Sequence, residues 1–175
     1  MTIVLNILIL TLLAIIVYQD MKHRTIWWVL LPTLFAVLFF RGLQVTDFQT
    51  LWQSFLLNLS FIVIQLLAVT VWFSLKNRAL VNITKNHLGW GDILFFAVSA
   101  LVFSPVNFLL FYIISLTLIL TGFLLYKAFR PQAKQIPLAG GMAAILMVCC
   151  IAGDFSKSMN FYDDNSILLM MNLLN

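Results

Sequence analysis

Glutamate is absent from this sequence of 175 residues, and charged residues of all kinds make up only 9% of it. Soluble domains carry about 25% charged residues, so this composition excludes an ordinary soluble enzyme. Hydrophobic residues make up 63% of the chain, and they gather in long runs that few charges interrupt. We therefore expect an all-α, polytopic membrane protein whose apolar runs cross the lipid bilayer as helices.

Cysteine is equally scarce, since Cys149 and Cys150 are the only two and lie side by side in an apolar run. The sequence has no C-x-x-C pair and no cluster of cysteine with histidine. We therefore expect no disulfide framework, no bound metal and no other cofactor. No linker rich in proline, serine or glycine divides the chain, so residues 1–175 are expected to form a single domain.

The net charge of +4 does not predict nucleic-acid binding, because the basic residues are scattered in small groups between the apolar runs. That pattern is typical of membrane topology. The run at 93–126 would be roughly 51 Å long as one helix, too long for one crossing of a core of about 30 Å. Ser104-Pro105 supplies a break within it. The sequence thus predicts six spans, at 3–18, 26–40, 51–75, two within 93–126, and 136–152.

The distribution of basic residues also predicts the orientation of these spans. Eight of the ten fall in the loops after spans one, three and five, namely Lys22, Arg24, Lys76, Arg78, Lys85, Lys127, Arg130 and Lys134. By the positive-inside rule these loops are cytoplasmic and both termini lie on the other side of a plasma or inner membrane. Four of the six aspartates fall on the opposite side, namely Asp47, Asp154, Asp163 and Asp164. Asp20 and Asp92 are therefore the only side-chain carboxylates predicted on the cytoplasmic half.

Asp20 ends the first span, and Asp92 begins the fourth in the sequence Gly89-Trp90-Gly91-Asp92. A carboxylate in hydrocarbon costs several kcal/mol, so we expect these two to have a function. Both lie at a similar depth, and packing of spans one and four would bring them together. Two carboxylates in contact tend to share one proton, as in the aspartic-protease dyad. One can then take a proton from an attacking water while the other donates to a peptide carbonyl.

The helix ends suggest different roles for the two acids, since Asp92 at a helix N-terminus would be the ionised member and Asp20 at a C-terminus the protonated one. Gly89 and Gly91 are expected to allow unusual backbone dihedrals and close access for an extended substrate. The structural alternative is that Asp92 simply caps its helix and that the glycines pack between helices.

Other residues near the acids have two interpretations as well. Arg24 could pair with Asp20 on one helix face, or it could anchor the span at the membrane interface, as we expect of Lys22. Pro137 and Gly140-Gly141 are expected to shape the sixth span.

This arrangement resembles the GxGD intramembrane aspartyl proteases, and within them the type IV prepilin peptidase and archaeal preflagellin peptidase family. That family has a first aspartate in a D-x-x-x-R-x-I-P-N-like stretch, matched at 20–28, and a second in G-x-G-D-x-K-L, matched at 89–95. A later proline-containing stretch is matched at 136–141. Leu94 stands where the family usually has lysine, and Trp27-Trp28 stands where it has Pro-Asn.

The resemblance implies an endopeptidase that cleaves the short basic leader from prepilin-like proteins at the cytoplasmic face of the membrane. The substrate would carry a hydrophobic helix that docks among the spans. Catalysis would fall to Asp20 and Asp92, with supporting positions at Lys22, Arg24, Gly89, Gly91 and Pro137. The segment with paired C-x-x-C motifs found in many bacterial members has no counterpart here, so N-methyltransferase activity is not expected.

Two other functions use the same features. A small transporter or proton-relay subunit would bind or pass cations through the two aspartates. A catalytically inactive scaffold of a pilus or secretion system would keep the fold without the chemistry.

Overall fold

The computed structural model of the chain describes residues 2–78, 89–129, 136–155 and 161–164. All regular secondary structure within these ranges is helical, as expected for an all-α protein. The helices are α1 (Thr2–His23), α2 (Leu30–Val45), α3 (Phe48–Asn77), α4 (Trp90–Ser99), α5 (Pro105–Phe129) and α6 (Leu138–Phe155). The predicted loop residues Lys85, Arg130 and Lys134 lie outside the described residues.

Three of these helices, α1, α3 and α5, are long and apolar enough to cross a membrane, whereas α2, α4 and α6 are shorter apolar helices. The break expected at Ser104-Pro105 is present, and Pro105 is the first residue of α5, where its missing N–H leaves no helical bond unmade. The two parts are unequal, however. Helix α4 has 10 residues, or about 15 Å, and is too short to cross the bilayer by itself.

All six helices contribute buried apolar side chains to the interior of the bundle. Helix α1 packs against α2 and α6, and α4 packs against α2, α3 and α6. On α1 the buried side chains Ile9, Leu13 and Ile16 are spaced by four and three residues, which places them in one stripe on the helix. Helix α3 packs against α5, and both expose many large apolar side chains, as is suited to contact with lipid.

The turn between α4 and α5 is buried, and α3 supplies the hydrogen-bond donors that it needs. Residues 100–104 are all buried. Asn58, on α3, is 2% exposed and donates from Nδ2 to the carbonyl oxygens of Ala100 (2.9 Å) and Phe103 (2.8 Å). Unsatisfied backbone groups cost several kcal/mol each inside a bilayer. Asn58 therefore supplies donors to two carbonyls of a turn that is buried inside the protein.

The same turn is covered by a short segment beyond α6. The backbone N–H of Ser104 donates to the carbonyl of Phe161 at 2.9 Å. The side-chain amide of Asn107, itself buried, donates to the carbonyls of Phe161 (3.1 Å) and Asp163 (3.2 Å). These contacts join residues 161–164 to the start of α5.

We predict that Asn58→Leu lowers the free energy of unfolding by about 2 kcal/mol or more, because two buried carbonyls lose donors that contribute about 1–3 kcal/mol each. Denaturation in detergent micelles measures the change. Ser60→Ala is the matched control, since the exposed Ser60 hydroxyl bonds only to Leu56 of its own helix and its loss should have little effect. Equal stability of the two variants would contradict the assigned role of Asn58.

Candidate active site

Asp20 continues the buried stripe of α1 to the end of the helix. It lies four residues after Ile16 and is 7% exposed, so the same periodicity that buries the apolar side chains turns its carboxylate into the bundle. The helix ends just beyond it. Arg24 adopts a left-handed conformation (φ 57°), and its N–H donates to the carbonyl of Asp20 at 3.1 Å, which is a recognised way to close a helix C-terminus.

Asp92 lies on the buried face of α4, three and four residues before the buried Phe95 and Phe96. It is the third residue of the helix, after Gly89 at the N-cap position. Its Oδ2 accepts a hydrogen bond from the N–H of Gly89 at 3.2 Å. The alternative interpretation from the sequence, in which Asp92 caps its own helix, is therefore correct for Oδ2.

The other oxygen of Asp92 and one oxygen of Asp20 meet at the N-terminus of α6. The N–H of Ala139 donates to Asp92 Oδ1 at 2.9 Å, and the N–H of Gly140 donates to Asp20 Oδ2 at 2.7 Å. The first N–H groups of a helix have no partner within the helix. Pro137, which precedes α6, carries no side-chain acceptor for them. The carboxylates of Asp20 on α1 and Asp92 on α4 accept these hydrogen bonds instead.

The two acids are thereby held close together. Their donors are successive amides, so the two accepting oxygens lie within about 10 Å of each other, and the carboxylates interact electrostatically. The positive end of the α6 dipole faces both. The α6 dipole therefore does not distinguish Asp20 from Asp92. Their own helix ends do differ, since Asp92 lies in the first turn of α4 and Asp20 in the last turn of α1, and the division of roles stays a prediction.

Glycine matters here through close approach and not through unusual backbone angles. Gly89 has φ −69° and ψ 147°, and no glycine among the described residues has positive φ, so the expected unusual dihedrals were wrong. A Cβ at Gly89 would lie 3.2 Å from Asp92 Oδ2, and one at Gly140 would lie 2.8 Å from Asp20 Oδ2 and 2.9 Å from Asp20 Cβ. At Gly91 a Cβ would make only ordinary contact with Ile26.

The remaining predicted site residues are less close to the acids. Arg24 lies beyond the end of α1 with an exposed side chain, and no ion pair joins it to Asp20 in the part of the chain that the structure describes. This favours the anchoring role for Arg24. Lys22 is exposed and donates to the hydroxyl of Tyr18 at 2.6 Å. Pro137 positions the start of α6, and its carbonyl accepts the N–H of Gly141 at 3.0 Å.

The direct part that Ala139 and Gly140 play was not predicted from the sequence, from which we expected this region only to shape the last span. The available signal was a proline followed two residues later by three small residues, Ala139, Gly140 and Gly141, because small side chains near a helix start allow other groups to approach its amides. No group of three or more histidine, cysteine, aspartate or glutamate side chains able to hold a metal occurs among the described residues.

The two carboxylate oxygens of Asp20 differ in their hydrogen bonds. Its Oδ1 accepts no hydrogen bond from any residue that the structure describes. A water or a substrate group can therefore bond to that oxygen without displacing a donor that belongs to any of the described residues.

Comparison with family models, with curated proteins and with solved structures finds no match to this chain. Its chemistry has to be inferred from the positions of its own residues.

We predict that Gly140→Ala destabilises the protein by about 1–3 kcal/mol, the usual cost of overpacking, because the added methyl group would collide with Asp20. The free energy of unfolding in micelles measures this effect. Gly122→Ala on α5 is the matched control, since nothing lies within 4 Å of a Cβ there and alanine favours a helix over glycine by about 0.5–1 kcal/mol. A Gly140 variant as stable as the Gly122 variant would show that α6 does not approach Asp20 this closely.

Proposed function

We propose that this protein is an intramembrane aspartyl endopeptidase in which Asp20 and Asp92 form the catalytic pair. The observation that carries the proposal is the convergence of these two carboxylates on the successive amides of Ala139 and Gly140. Three helices from distant parts of the sequence meet at this point. The chain has only six acidic residues, and two of them lie together on buried helix faces.

The arrangement fits general acid–base hydrolysis of a peptide bond. The ionised carboxylate takes a proton from water as the water oxygen attacks the carbonyl carbon, and the protonated carboxyl group donates its proton to the carbonyl oxygen. The resulting diol collapses as the C–N bond breaks, the amine nitrogen takes up a proton, and a new carboxyl group forms. The α6 amides would hold both side chains in place throughout.

The proposed substrate is a prepilin-like protein with a short basic leader followed by a hydrophobic helix. Support comes from the resemblance of 20–28 and 89–95 to the prepilin peptidase motifs. In the proposed topology the chain crosses the membrane six times with both termini outside, and α4, too short to cross alone, makes its crossing together with the buried turn at 100–104. The carboxylate pair then lies near the cytoplasmic face. A basic leader would reach it from the cytoplasm, where the peptide bond is accessible to water.

The same geometry would also suit a proton relay, because a buried carboxylate pair can exchange protons. In addition, the two acids act as helix caps, which a scaffold would need as much as an enzyme. Asparagine separates the capping role from the two roles that need proton transfer. Its side-chain oxygen accepts a hydrogen bond from a helix amide about as well as aspartate does, but it cannot take up or donate the catalytic proton.

We predict that Asp20→Asn and Asp92→Asn each abolish cleavage of a co-expressed prepilin, by at least about 100-fold if general acid–base catalysis is lost, while changing the unfolding temperature little. Cleavage is read from the shift in mass of the substrate. Asp20→Ala, which cannot accept the Gly140 bond, should in addition destabilise the protein by about 1–3 kcal/mol.

Asp47→Asn is the control for a carboxylate remote from the pair. Asp47 caps α3 by accepting hydrogen bonds from the N–H (3.0 Å) and hydroxyl (2.8 Å) of Thr50. Replacement of this carboxylate by an amide should leave cleavage intact. Retention of cleavage by either Asn variant of the pair would overturn the proposal. Aspartate-dependent proton flux without cleavage would favour the relay instead.

A further inference from the structure

The α1–α2 connection folds back over the outward face of α1 and forms an open groove there. The groove has a volume of about 900 Å³ and is lined by Ala14, Ile15, Tyr18, Gln19, His23, Thr25 and Trp27. The backbone N–H of Trp27 donates to Gln19 Oε1 at 3.0 Å, which fixes the connection against the helix. This size is within the range of about 300–1,000 Å³ typical of ligand sites.

The groove is apolar at one end and basic at the other. Ala14, Tyr18 and Lys22 are spaced by four residues and lie one above the other on α1. The ammonium group of Lys22 lies against Tyr18, 5.0 Å from its ring centroid and 2.6 Å from its hydroxyl. His23 adds a second basic side chain at this end. Ala14 is about 13 Å further along the helix, among apolar side chains.

The surroundings identify the basic end with a membrane interface. Trp27 and Trp28 are 72% and 76% exposed, and exposed tryptophan is typical of the boundary between lipid headgroups and hydrocarbon. The groove also lies away from the carboxylate pair. Asp20 is two residues from both Tyr18 and Lys22, a rotation of about 200° around the helix, so the groove faces lipid while Asp20 faces the bundle.

We infer that this groove binds one anionic phospholipid, with an acyl chain along Ala14 and Ile15 and the phosphate beside Lys22, His23 and the Thr25 hydroxyl. The basic end attracts a negative headgroup and repels a basic peptide leader, and the apolar end suits an acyl chain. Basic side chains at a membrane surface attract anionic lipids in this way. The inference does not depend on the proposed peptidase activity.

Quenching of Trp27 fluorescence by brominated lipid tests the inference. The protein is placed in phosphatidylcholine vesicles that contain increasing mole fractions of lipid with brominated chains, either phosphatidylglycerol or phosphatidylcholine. Subtraction of the signal of Trp27→Phe isolates the quenching at the groove. We expect brominated phosphatidylglycerol to quench Trp27 at several-fold lower mole fraction than brominated phosphatidylcholine does.

Variants test whether the preference for anionic lipid arises from binding in the groove. Lys22→Gln should reduce it about fivefold, the effect of one basic group at an anionic surface, and Lys22→Arg should retain it. Lys127→Gln, which removes a basic residue from the last turn of α5, should leave it unchanged. Equal quenching by the two lipids in the wild-type protein, or equal losses in Lys22→Gln and Lys127→Gln, would overturn the inference.

Discussion

The backbone N–H groups at the start of α6 are the interaction on which the rest of this site depends. Ala139 and Gly140 each donate to a carboxylate from a different helix, so one helix end fixes the ends of two others. The α6 amides therefore connect α1 and α4, which are distant in the sequence. The positive end of the α6 dipole and its hydrogen bond stabilise the ionised member of the pair.

This arrangement constrains the sequence at several positions. The proline before α6 starts the helix without adding a side chain that would compete for its amides. Gly140 must lack a Cβ because Asp20 occupies that space. Asn58 holds the far end of α4, and α4 carries Asp92 at its other end, so the polar contacts of a buried turn help to position an acid about 15 Å away.

Much of this fold could be predicted from the sequence. The all-α class followed from the scarcity of charge, the break at Ser104-Pro105 from proline chemistry, and the proximity of Asp20 to Asp92 from their matching places at helix ends. The expected packing of α1 on α4 is not what joins them, since both acids bond to the start of α6. Both acids also continue a buried apolar stripe, at spacings that a sequence shows directly. The helix amides that hold the acids were missed, because every residue carries a backbone donor and the proline and small residues at 137–141 show only that a helix start is open to approach, not which groups approach it. The short length of α4 was also missed, since an uninterrupted apolar run does not show where within it a turn is buried.

Selective labelling of glycine with ¹⁵N tests the central contact most directly, because the chain has only seven glycines. In the NMR spectrum of the protein in micelles, the Gly140 amide can be assigned from its loss in Gly140→Ala. A hydrogen bond to Asp20 predicts that this resonance lies downfield and moves strongly upfield in Asp20→Ala, while the Gly122 amide stays in place. A Gly140 amide that does not respond to Asp20→Ala would contradict the account.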